Sequence, residues 1–281
     1  MLFDSAAAAH KAAVEYFTPL RYERDLPVMA NPGLLALVTE RFLKDIPRLT
    51  FQQQSTIYVH RQILLAGNRW QASNMDLGPT DDWPQPVLGP TFLDKVQRQL
   101  LSLDVESSTF EDFLAAFHVL GAVLLARTLD AYQNRREIPH LLRDLWTKWR
   151  ESLYVKLPRT LSSNLSAWQA WYTAESARRS LLCVILMDGL LEVADKGYFS
   201  YRPLVESLPF DARTGLWEAE TEEDWLAAVA AHGDTHSSLI SWAEFIEHGG
   251  MKPRREYDGT LQRMMLVIHF GKPAAELQDM L

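Results

Sequence analysis

Residues 108–133 read STFEDFLAAFHVLGAVLLARTLDAYQ, and the fold turns on them. Apolar side chains at 110, 113, 114, 117, 120, 124, 125 and 129 recur with the helical period. They spread over so wide an arc that this helix is expected to be surrounded by others, at the centre of the fold. Its longest apolar run, Phe113 to Ala126, has 14 residues and contains His118. That is short of the ~20 needed to cross a bilayer, so a buried core helix is expected, with no membrane partner.

Working outward, matches to period 3.6 occur almost everywhere, whereas alternating β-branched runs bounded by turn residues are scarce. The predicted fold class is all-α, a multi-helix bundle of about ten helices. Downstream of Pro139, Leu141, Leu142, Leu145, Trp146 and Trp149 mark an amphipathic helix whose other face carries Arg143, Asp144, Lys148 and Arg150. The stretch from Ser163 to Ala194 reads as one long helix or two abutting ones, ended by Gly197. Thr221 followed by Asp224 resembles a capping box opening a helix that stops near Gly233. Helical patterns from Ser238 to His248 and from Tyr257 to Phe270 complete the chain.

Upstream, Thr91 is placed to cap a helix from Phe92 to Leu103, and Asn31 with Pro32 opens one running to about Lys44. Residues 67–90 carry Pro79, Pro84, Pro86 and Pro90 with three glycines, which reads as a linker. The expected organisation is therefore an N-terminal helical segment (1–66), a Pro/Gly-rich linker (67–90) and a helical core (91–281). The opening MLFDSAAAAHKAAVEYF has Asp4 and no basic residue before its alanine run, the wrong charge order for a secretory signal, so it is read as a helix and the chain as not secreted.

Composition narrows the chemistry. The 281 residues carry 28 Lys+Arg against 36 Asp+Glu, a formal charge of -8, which disfavours direct binding to nucleic acid. A single cysteine, Cys183, leaves no disulfide framework, cysteine zinc site or iron–sulfur cluster, and its setting in LLCVIL makes the thiol inert. No Gly-rich phosphate loop, nucleophile elbow or H-E-x-x-H occurs, and Glu137 with His140 supplies only half of a di-iron pair, interrupted by Pro139. His232, Asp234 and His236 in H-G-D-T-H read as a helix terminus and loop rather than a metal site, and His118 as a hydrogen-bonded core histidine. Arg135 with Arg136, and Lys252 with Arg254 and Arg255, are basic clusters too small for a nucleic-acid footprint. No catalytic residue, metal or cofactor is assigned.

The constellation that stands out lies in the long helix. Trp168, Trp171, Glu175 and Arg178/Arg179 share one stripe, with the acid N-terminal to its basic partners, the favourable order. Asp188 follows in the apolar half, where a buried acid needs a donor. The expected arrangement is a buried polar clamp between helices.

W-Q-A-W-Y-T-A-E-S-A-R-R-S from Trp168 to Ser180, then Asp188, L-P-F from Leu208, L-W-E-A from Leu216 and finally Trp225, resembles the regulatory middle homology region of fungal-specific zinc-cluster transcription factors. The resemblance carries over to Trp168, Trp171, Glu175, Ser176, Arg178, Arg179, Asp188, Leu208, Pro209, Leu216, Trp217, Ala219 and Trp225. The segment LQRMMLVIHFG, Leu261 to Gly271, is similar to the family's closing helix. It implies a helical regulatory domain, nuclear or cytoplasmic, answering to a small-molecule effector or a regulatory protein. The family's zinc cluster needs six thiolates and this sequence has Cys183 alone, so DNA binding does not carry over. The alternative is a free-standing, repurposed domain acting as an enzyme or metabolite-binding protein in a biosynthetic pathway. In it, His118 and Asp188 would line a pocket, with Glu175 and Arg178 as further acid, base or anion-binding groups.

Overall fold

The computed structural model describes residues 28–29, 37–66, 90–134, 138–157, 163–196, 198–199, 207–233, 239–249 and 260–270. Outside these lie the N-terminal helix, Asn31 and Pro32, nearly all of the 67–90 linker, Glu137, Gly197, Asp234, His236 and both basic clusters. Among the described residues there are nine α-helices, one π-helical turn and four strands of two or three residues, an all-α, multi-helix fold. The chain forms two compact units, Lys44–Pro158 and the union of Met1–Leu43 with Arg159–Leu281.

In the unit Lys44–Pro158, α1 (Ile46–Phe51), α2 (Arg61–Ala66), α3 (Pro90–Leu101) and α5 (His140–Lys156) pack around α4 (Phe110–Asn134). The sequence explains the centre. Phe113, Leu114, Phe117, Leu120, Val123 and Leu124 of α4 have no exposed surface, and Ala115, Val119 and Ala122 on the opposite side are buried as well, so the helix is covered all round. Phe117 stacks on Trp146 of α5 at 4.7 Å, and Phe113 meets Trp149 at 5.9 Å. Such pairs add about 0.5–1.5 kcal/mol each to the burial of their surfaces. At the edge, Arg127 of α4 bonds Asp94 of α3 at 2.6 Å.

The apolar stretch is longer than the run that ends at Ala126. Leu129 and Ala131 keep it apolar through Phe110–Ala131, 22 residues, which is long enough to cross a membrane by length and composition. Yet 78% of its most apolar window is buried inside the protein, as in the core helix of a bundle. Helix α3 begins at Pro90, one residue before the expected cap Thr91, with proline in the first turn where no N–H is needed.

The other unit is organised by α6 (Ala167–Lys196), one unbroken helix of 30 residues. Its start is fixed by Ser166 and Gln169: the Gln169 N–H donates to Ser166 Oγ at 3.3 Å, and the Ser166 N–H to Gln169 Oε1 at 2.9 Å. Of the helix expected from Asn31 to Lys44, residues 31–36 lie outside the described ones, 37–38 are α-helical, and Thr39–Leu43 form a π-helical turn. Two antiparallel pairings join β1 (Val28–Met29) to β2 (Tyr198–Phe199) and β3 (Pro209–Asp211) to β4 (Leu239–Ser241). Residues 239–241, expected as helix, are thus strand. The helix α8 (Trp242–Gly249) starts only after Ser241, whose hydroxyl accepts the Glu244 N–H at 3.2 Å. Between them, α7 (Glu222–His232) is capped by Thr221, which accepts the Asp224 N–H at 3.1 Å, and ends at Gly233 with φ 64°. The last described helix is α9 (Thr260–Phe270).

Candidate functional site

In the N-terminal third of α6, Glu175 has no exposed surface, and Arg178 and Arg179 are 5% and 3% exposed. Helical spacing aims both guanidinium groups back at the acid. Arg178 Nε donates to Glu175 Oε2 at 2.8 Å, and Arg179 Nε to Oε1 at 2.8 Å. A second element completes the shell: the backbone N–H of Asp211 in β3 donates to both Glu175 oxygens at 3.2 Å. A buried ion pair is tolerable only when its remaining lone pairs are met in this way, since several kcal/mol of hydration are lost per ion.

The Asp211 side chain ties the same corner one turn earlier. Trp171 Nε1 donates to Asp211 Oδ2 at 2.9 Å, and Arg213 bonds the same carboxylate through Nε at 3.0 Å and Nη2 at 2.7 Å. Burial, the largest influence, pushes the Asp211 carboxyl up, but the bonds from Arg213 and Trp171 outweigh it and hold it below the usual carboxylate range. Burial likewise pulls the Arg179 guanidinium down, opposed by the charge and hydrogen bond of Glu175. Arg179 lies 3.7 Å over the Trp217 ring, a cation–π contact in a desolvated setting.

Tryptophans close the cluster. Trp171 meets Trp217 edge-on at 6.2 Å and Trp225 of α7 at 6.1 Å. Trp168 and Trp171 pack on buried Leu216, Ala219 and Trp225. Leu208 is buried, and its carbonyl accepts the Trp242 N–H at 3.3 Å, just before Pro209 opens β3. From α9, the buried Gln262 donates to the Ala212 carbonyl at 3.4 Å. The segments near 175 and 211 therefore meet at Glu175, with Trp217 stacked on Arg179, Trp225 packed against Trp171 and Gln262 bonded to Ala212.

Asp188 stands apart. It is half-buried, nine residues beyond Arg179, about 13 Å along the axis, and takes no part in the bonds around Glu175. Its charge adds to burial, the larger cause, in pushing the Cys183 thiol far above its usual range, which leaves that thiol unreactive. His118 sits on α4 in the unit Lys44–Pro158, whereas Asp188 belongs to the other unit. Burial pulls His118 down to about 3, so it is neutral at ordinary pH. His232 donates through Nε2 to the Thr214 carbonyl at 2.8 Å. Among the described residues no three His, Cys, Asp or Glu side chains gather as a metal-holding group.

Asp211, Arg213 and Gln262 are absent from the residues singled out by sequence. A faint signal existed in D-A-R directly after L-P-F, an acid and a base two residues apart next to a strand-forming stretch.

The chain is 23% identical over 247 residues to the transcription factor gsfR2 of Penicillium aethiopicum, in an alignment that covers 80% of this chain. It spans little more than half the length of that relative, 57%. No family profile matches the chain, and no solved structure matches it.

Proposed function

We propose that the chain is the regulatory, non-catalytic part of a protein of fungal transcription-factor type, equivalent to the middle homology region. It works in the nucleus, binds a small-molecule effector or a regulatory protein, and does not contact DNA itself. Similarity to a transcription factor over four-fifths of the chain carries this reading. The disposition of the polar residues supports it. Glu175 spends its charge on Arg178, Arg179 and the Asp211 amide, and Arg179 stacks on Trp217, which is how side chains lock helices rather than turn over a substrate. His118, buried and neutral, has the environment of a packing residue.

The experiment is a reporter assay in yeast, with the chain placed between a heterologous DNA-binding domain and an activation domain. A regulatory part changes reporter output several-fold relative to the direct fusion, and the Glu175→Ala form abolishes that change. Output equal to that of the direct fusion, or retention of the isolated chain on DNA at physiological salt, overturns the reading.

A further inference from the structure

Helix α7 is apolar all round: after Glu222, Glu223 and Asp224 it reads WLAAVAAH. A helix of that kind is normally covered all round. On its inner side Trp225 is buried, and Ala228 and Val229 join the cluster of Leu216 with Trp168 and Trp171. On the opposite side Leu226, Ala227, Ala230 and Ala231 are exposed, Leu226 by 53%. Glu223 precedes Leu226 by three residues and Ala230 by seven, so it lies in the same open arc. Asp224 follows it and Glu220 precedes it in sequence, both exposed, Glu218 is exposed with its charge also felt by Arg179, and no lysine or arginine occurs between Leu216 and His232.

We propose that this outward face of α7 is a docking surface for a basic amphipathic helix of a partner protein. Leu226 is the apolar anchor. The alanines let the incoming backbone approach to the close end of the 8–10 Å range of helix pairs. The acidic end meets lysine or arginine flanking the partner's apolar stripe, which fixes its orientation and speeds its approach. A second copy of this chain is a poorer occupant, since both molecules carry a net charge of -8. The inference goes beyond the regulatory reading and does not rest on it, because binding is measured directly and without transcription.

The test uses the full chain and two designed helical peptides of about 18 residues with the same leucine stripe. One is flanked by lysine and the other by glutamate. The lysine peptide is expected to bind, shifting backbone amide resonances of α7. Leu226→Glu, an exposed position that leaves the melting temperature in place, weakens binding by about tenfold or more. Glu223→Gln weakens it too, whereas neutralising Glu106 and Glu151 in the other unit does not. Equal binding of the glutamate peptide, binding unchanged by Leu226→Glu, or absence of binding each overturns the proposal. So does self-association of the chain that Leu226→Glu abolishes in sedimentation velocity, which would give the face to a second copy.

Discussion

The two units bury their central helices by opposite chemistries. Around α4 the contacts are aromatic and aliphatic, and the histidine buried in the helix itself, His118, is kept neutral. Around the N-terminal part of α6 the contacts are an acid, two guanidinium groups, a backbone amide and an indole N–H. The difference teaches that equal burial does not mean equal tolerance. A core of the first kind loses surface when truncated, while one of the second kind also strands a charge.

The largest effect that separates them is expected at Glu175. Replacing it by alanine leaves Arg178 and Arg179 buried without their anion, at a cost of about 3–5 kcal/mol. That corresponds to a fall in melting temperature on the order of 10 °C. Phe117→Ala in α4 costs a similar amount by leaving a cavity. The comparison sharpens with Glu175→Met combined with Arg178→Met and Arg179→Leu. This variant is expected to recover most of the stability that the single change loses, whereas no second substitution near Phe117 acts through charge. Thermal melts of the three proteins decide it, and a combined variant as unstable as Glu175→Ala breaks the comparison.

Acid acts next. His118 binds its proton near 6.5 when unfolded and only at about 3 when folded, so the unfolded state holds more protons between these values. Stability therefore falls as the pH drops through that window, by up to about 1.4 kcal/mol per unit. For Asp211, whose folded carboxyl is held below the unfolded one, stabilisation is present above about 4 and is lost as the pH falls through the folded value. Protection of the α4 amides against exchange should accordingly fall between about pH 6 and pH 4, before the α6 cluster is affected, and His118→Gln should remove that slope.

The smallest effect belongs to Asp211→Asn. It removes the anion facing the partly exposed Arg213 but keeps an acceptor for Trp171 and the amide that reaches Glu175, for a cost of about 1–2 kcal/mol. Calorimetry of this variant beside Glu175→Ala ranks the two halves of the clamp.

Much of this was legible in the sequence, and the exceptions have physical reasons. The apolar arc of α4 and the acid-before-base spacing of Glu175 with Arg178 and Arg179 are local patterns, repeated within one or two turns. Asp211 lies 36 residues from Glu175 and 40 from Trp171, so only the completed fold brings the three together. Residues 239–241 were misread as helix because a three-residue strand is too short to show alternation, and Ser241 resembles any other helix-opening serine until its partner is seen. The membrane-crossing length of α4 was underestimated at Ala126 because an uninterrupted run is a stricter measure than an average that tolerates Arg127 and Asp130.

One consequence follows from the amide of Asp211. The grip on Glu175 from β3 comes from the main chain, so nineteen of the twenty residue types could stand at 211 and still offer that hydrogen. A survey that swaps side chains one at a time would pass over this tie in silence. Proline alone would cut it.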